Sequence, residues 1–329
     1  MKKLIRYVMP SVLTLLIITP PSQVGDSNLI IPRVFHVGGT GPDNYTCIQY
    51  ALGDADFGDV IFVHAGVYNE TILINKTIML IGEDKNTTII KSNESTTISI
   101  LSEDVTIKGF TIKNECNWGC AVEVRGSGNQ IVGNIVEDSC YGVNVFGRTN
   151  DISGNIFKHN RFAITLHGTF NTVMLNRFHD NVNAITIYSS YNGIVRNMIR
   201  KGHLAISIFC GDYNYICNNE ILYQIEGILI ERSIGNRIFG NVVGGCERGI
   251  YITVGWKNLI MRNDFLGNNA NAFFYRGFNI WLRNYWGKSC PVFLIPGIRD
   301  FHGRLTRSFA LDIFPAKRPI NIVGVIYAG

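Results

Sequence analysis

Between residues 129 and 286 the chain alternates apolar and polar positions in short runs, and the runs return every 21 or 22 residues. "AITLHG", "AITIYS", "AISIFC" and "GIYITV" each follow the same pattern, introduced by a small residue at Gly142, Ala163, Ala184, Ala205, Gly227 or Gly249. Alternation with period two places Ile, Leu and Val on one face of a short strand and the intervening residues on the other. A unit of about 22 residues made only of short strands and turns cannot bury its apolar face alone, so it must stack on its neighbours as one coil of a parallel β-helix. The L-x-x-L-x-L pattern of leucine-rich repeats, with its helical return, is absent.

Asparagine marks the units. Asn129, Asn150, Asn171, Asn192, Asn214, Asn236, Asn258 and Asn279 recur at this period, and each is followed five residues later by a second Asn, from Asn134 to Asn284. Coils stack at about the separation of neighbouring strands, 4.8 Å, which brings equivalent amides within hydrogen-bonding range. An amide both donates and accepts, so one residue type serves every level of such a column, whereas a column of Asp would repel itself. Two residues after each leading Asn stands Ile131, Ile152, Val173, Ile194, Ile216, Ile238, Ile260 or Trp281, and seven after it an apolar residue from Val136 to Trp286; both columns are expected to face inward.

A stack of coils exposes its core at each end. Residues 45–55 place Ile48, Ala51, Leu52 and Ala55 on one helical face, which predicts a short N-terminal capping helix. The expected fold is therefore all-β, a single right-handed parallel β-helix over residues 34–286, followed by a C-terminal capping tail over 287–329. Lys2, Lys3 and Arg6 precede an apolar stretch from Val8 to Ile18 and then polar, Pro-rich sequence, the pattern of a signal peptide over residues 1–25. It predicts a secreted, periplasmic or cell-surface protein with no membrane span beyond that segment.

The net charge of +5 is small for 329 residues and its Lys and Arg are scattered, so no nucleic-acid partner is expected. The eight Cys form no paired C-x-x-C arrangement and Met is sparse, so neither a zinc site, a copper-thioether site nor any other metal or cofactor is called for. In an exported chain, a disulfide joining Cys140 to Cys116 or Cys120 on adjacent coils is expected. A monomer is expected.

The stretch "IQYALGDADFGDVIFVHAGVYNETILINKTIMLIGED" resembles the leader coils of the pectin-lyase-like fold, and the Asn-rich coils from 129 to 284 resemble the NosD-type β-helix domain of exported bacterial and archaeal proteins. The NosD resemblance implies an accessory role in copper delivery, and the wider fold implies polysaccharide lyases and hydrolases. None of their local catalytic motifs is visible here.

Function must be sought in columns across coils. Nine residues after the leading Asn come Asp138, His159, Asp180 and Lys201; eight after it, Glu137, Lys158, His179 and Arg200. Asp138 and Asp180, two coils apart, would be separated by about 9.6 Å, a spacing suited to an inverting glycosidase pair. Alternating charge along this edge also follows simply from the repulsion of stacked like charges. A second column, Phe146, His167, Tyr188 and Phe209, falls on the outward phase of its strands beside Asn144, Thr165, Thr186 and Ser207, a strip suited to a polysaccharide or cell-envelope glycan. Mutual stacking of the rings is its structural alternative. The leading expectation is a non-catalytic glycan-binding or envelope protein; the alternatives are a polysaccharide hydrolase or lyase acting through Asp138, His159 and Asp180, and a copper-binding accessory protein.

Overall fold

The computed structural model describes residues 32–287, 293–295, 310–312 and 314–320; the signal segment read at 1–25 lies outside the described residues. Twelve strands from Val34–Val37 to Ile280–Leu282 stack in parallel within one sheet, which corresponds to eleven turns of a parallel β-helix. The remaining coil strands form a second sheet of 17, in which two parallel ladders join through long strands such as Arg177–Ile187. Register is kept from coil to coil, as in Ile131↔Ile152, Ile152↔Val173 and Val173↔Ile194. Both apolar columns face inward and are buried, and large rings within them stack: Phe157 on Phe178 at 4.9 Å, Phe265 on Trp286 at 4.7 Å.

Each corner uses the same two-residue device. A residue in the left-handed conformation turns the chain, and the residue after it is usually a buried Asn. Gly133 (φ 68°) precedes Asn134, Gly154 (φ 64°) precedes Asn155, and Tyr191 (φ 63°) precedes Asn192. Glycine adopts this conformation freely, whereas a side chain there is strained by about 1 kcal/mol or more. The Asn that follows offsets the strain by satisfying the backbone groups that the turn removes from the sheets. Asn155 Oδ1 accepts from Asn134 N (2.9 Å) and Nδ2 (3.3 Å), while its own Nδ2 donates to Ile131 O (2.7 Å) and Asn176 Oδ1 (3.1 Å). At about 1 kcal/mol net for each bond, a fully bonded Asn outweighs the strain of its corner.

A third Asn column, unnoticed in the sequence, occupies the remaining corner ten residues after the leading Asn. Ser139 N donates to Asn160 Oδ1 and Asn160 N to Asn181 Oδ1. Gly202, Gln224 and Cys246 interrupt its identity in later coils, which hides it from a search for repeated Asn.

The capping helix spans Ile48–Asp54, and Ile48, Ala51, Leu52 and Ala55 are buried as the helical spacing requires. Its first turn is satisfied by the coil beneath: Glu70 accepts from Ile48 N (3.0 Å), Gln49 N (3.1 Å) and Cys47 Sγ (2.9 Å). Beyond residue 287, Ala310–Asp312 pairs in parallel beside the last coil strand through Trp281↔Asp312, and Phe293–Ile295 adds antiparallel to it. No helix among the described residues is long and apolar enough to cross a membrane.

Candidate functional site

Asp138, His159 and Asp180 all have left-handed φ (53°, 56°, 54°) and precede the third Asn column. Asp and His tolerate that conformation better than most residues, which accounts for part of their recurrence. The corner also throws the three side chains outward into one groove. The groove has a volume of about 590 Å³ and is lined also by Asn114, Cys116 and Asn117 of the preceding coil and by Cys140, Asn160 and Arg161.

Charges in this region are paired. Asp138 meets Lys113 Nζ at 3.1 Å and His159 Nδ1 at 3.5 Å, and Asp180 pairs with His179. Beside them Glu137 is buried between Lys113 and Lys158, the latter at 2.5 Å. Burial alone would raise the Glu137 carboxyl, but the hydrogen bonds and charges of the two lysines outweigh it and hold it below the ordinary carboxylate range. From Lys113 through Glu137 to Lys158 the alternation of charge is thus a run of ion pairs. A group depressed in the folded state stabilises above its unfolded pKa and ceases to do so as pH falls through the folded value. Glu137→Gln is therefore expected to lower stability by about 1 kcal/mol at pH 7. The gap to the native protein should narrow in melting curves as pH falls below the unfolded value of about 4.3 and on through the depressed folded value; a gap of constant size throughout that fall would point to lost packing instead.

At the rim, Trp118 is 69% exposed and the Arg161 guanidinium lies 5.0 Å from its ring centroid. Arg161 also reaches the Phe162 ring at 5.8 Å, and Phe162 stacks on Tyr141 at 5.1 Å. From this pair the outward flank runs along the strands Tyr141–Val145 and Phe162–Leu166 to the expected aromatic column.

That column is present and continuous. Phe146, His167, Tyr188 and Phe209 stack at 4.8, 5.2 and 5.6 Å, with ring planes 7°, 8° and 22° apart, and Arg125 covers the Phe146 end at 5.3 Å. The ring faces are turned on one another along the solenoid, so the column offers edges outward. Burial in the stack lowers the His167 pKa. The neighbouring Thr165, Thr186 and Ser207, expected as exposed polar bordering groups, are on the outward phase but buried. Sequence reading also missed a further stack, Phe170, Tyr191 and Tyr213, each about half exposed, at 5.2 and 5.4 Å. Its signal was available: each residue immediately precedes a leading Asn.

The expected disulfide is not formed. All seven described cysteines carry free thiols. The register pairs Cys120 with Tyr141, so Cys140 sits one residue off from it across the coils. Burial pushes the Cys120 thiol up to about 12 and that of Cys246 up to about 11.

The sequence model of the family described as periplasmic copper-binding protein (NosD) matches residues 84–291, more than half of the chain. No curated protein matches it in sequence. Similar solved structures include the complex of XylC with xylose, 12% identical over 75% of each chain with a TM-score of 0.62. The A-module of mannuronan C-5 epimerase AlgE6 from Azotobacter vinelandii is 12% identical over 72% of this chain and 87% of that one, with a TM-score of 0.57. A mannuronic acid specific polysaccharide family 6 lyase from human gut microbiota is 14% identical over 77% and 79%, with a TM-score of 0.54. At these identities the likeness is one of fold.

Proposed function

The chain belongs to the NosD family of periplasmic copper-binding proteins, and from that premise we propose that it is exported and acts in the cell envelope as a glycan-binding solenoid. The groove at the third corner carries this proposal: it joins carboxylates, imidazole, amides and a guanidinium to an exposed indole at its rim. Sugars present hydroxyls to the first set and an apolar face to the last, and binding sites combine these elements. From the groove the chain of a polysaccharide would run across Tyr141 and Phe162 toward the edges of the Phe146, His167, Tyr188 and Phe209 stack. Asp138 and Asp180 are exposed, the first paired with Lys113 and the second beside His179, an environment suited to hydrogen-bonding a ligand.

Copper, which the family description implies, is poorly served within the matched residues. Among the described residues no three or more His, Cys, Asp or Glu side chains are gathered as ligands. The thiols of Cys120 and Cys246 are pushed away from the thiolate form that soft metals select. No step is assigned to a resident copper ion.

A glycan array of neutral and uronate polymers tests the proposal. The native protein is expected to bind at least one class, and Trp118→Ala with Arg161→Ala to weaken that binding about tenfold or more, equivalent to about 1.4 kcal/mol. Changing Phe146, Tyr188 and Phe209 to Ala reads how far the ligand extends across the flank. Absence of binding by the folded native protein would sink the proposal. The placement of Asp138, His159 and Asp180 on one groove favours cleavage as a second reading, for which Asp138→Asn and Asp180→Asn would each abolish release of new reducing ends.

A further inference from the structure

Away from this flank, at the N-terminal end of the solenoid, His36 stands on the first strand, opposite Phe62, and His64 directly follows the second, Val60–Val63. Their rings stack 5.4 Å apart, and His36 Nδ1 lies 3.3 Å from His64 Nε2. The Phe62 ring braces both, at 5.6 and 5.1 Å. The other nitrogen of His64, Nδ1, faces Glu83 Oε2 of the next coil at 3.5 Å, and the same carboxylate oxygen accepts from Ala65 N at 2.8 Å.

The Glu83 carboxylate near His64 Nδ1 favours the tautomer with its proton on that nitrogen. With the proton of His64 on Nδ1 toward the carboxylate, the Nε2 lone pair points at His36. This is the carboxylate–histidine arrangement that orients imidazole ligands at metal sites. Two nitrogens each bound at about 2.0–2.1 Å to one tetrahedral ion are about 3.3 Å apart, the same separation as observed. With His64 Nε2 accepting, the N–H in that gap belongs to His36 Nδ1; for an ion to bind, that proton passes through solvent to Nε2 of the same His36 ring, which leaves both facing nitrogens with lone pairs.

We propose that His36 Nδ1 and His64 Nε2 form a site for a divalent, imidazole-favouring transition ion such as Cu(II) or Zn(II), with Glu83 holding His64 from behind and the remaining positions open to water or a further ligand. The site lies outside the residues that the NosD family model matches, and it does not depend on glycan binding. His36 and Glu83 are exposed and His64 is partly so, which leaves the pair accessible from solvent.

The test is titration of the full chain with Zn(II) alone by calorimetry and, separately, Cu(II) paramagnetic resonance. One ion per chain is expected, with nitrogen hyperfine structure from two imidazoles. His36→Ala and His64→Ala should each weaken binding more than tenfold. Glu83→Gln should weaken it about tenfold while keeping the stoichiometry, as outer carboxylates do, and Cys116→Ser with Cys140→Ser should leave it unchanged. These are surface positions, and circular dichroism confirms that the variants fold. Failure of the native protein to take up either ion would overturn the proposal, as would equal uptake by the His36→Ala, His64→Ala double variant.

Discussion

Asn176→Asp is expected to destabilise the protein by about 3–5 kcal/mol, the cost of a buried charge without a partner. Asn176 is buried in the middle of the second Asn column. Its Oδ1 accepts from Asn155 N (2.9 Å) and Nδ2 (3.1 Å), and its Nδ2 donates to Ile152 O (2.7 Å) and Asn197 Oδ1 (3.1 Å). A carboxylate keeps the first two bonds but turns an oxygen toward two other oxygens. Burial would raise the pKa of the introduced carboxyl, so the loss is largest at neutral pH and shrinks as pH falls through that raised value. Asn176→Ala, which orphans groups without adding charge, should be less damaging, at about 2–3 kcal/mol. Urea unfolding measures both, with hydrogen exchange to register local opening, because coils interact mainly with their neighbours. A loss below about 1 kcal/mol for the Asp variant would show that the column contributes little.

The second large effect concerns the place where the column ends on an acid. Every Asn-to-Asn bond along the column runs the same way, from donors in one coil to Oδ1 in the next. The last coil therefore presents donors and needs only acceptors. Asp312, fully buried, provides them: Oδ2 accepts from Asn284 N (2.9 Å), Asn284 Nδ2 (3.1 Å) and Trp286 Nε1 (3.2 Å), and Oδ1 from Arg283 N (3.1 Å) and Phe314 N (3.3 Å). Asp312→Asn preserves shape but points an NH₂ group at N–H donors whichever way the amide is turned. Hydrogen-exchange protection of residues 280–286 should fall by about 10- to 100-fold, equivalent to about 1.4–2.7 kcal/mol. Protection near residues 150–200 should be unchanged. Unaltered exchange at 280–286 would show that Asp312 does not secure the end.

Much of this architecture could be read from the chain because its repeat is close to regular. Asn129 to Asn279 and Asn134 to Asn284 announce themselves since each coil asks the same residue type to meet the same backbone gap. The third column was lost where Gly202, Gln224 and Cys246 stand in for Asn, yet Ser139, Asn160 and Asn181 carry its bonds. The corner of Asp138, His159 and Asp180 was found by register, but a linear pattern could not say that these residues turn the chain left-handed or that a groove opens beside Arg161 and Trp118. The aromatic column was also found by register; the orientation of its rings was not, since stacking angles depend on side-chain rotamers.

The sequence by itself determined which residues lie inside, the coil period, the capping helix and the columns, because strand alternation and a 21- or 22-residue repeat translate directly into direction and level. Only the tertiary structure decided the polarity of the Asn ladders, the acidic terminus at Asp312, the free state of the described cysteines, the burial of Thr165 and Thr186, and the meeting of His36 with His64. Each of these depends on atoms from different coils approaching within hydrogen-bonding or van der Waals distance, at angles that no spacing along the chain encodes.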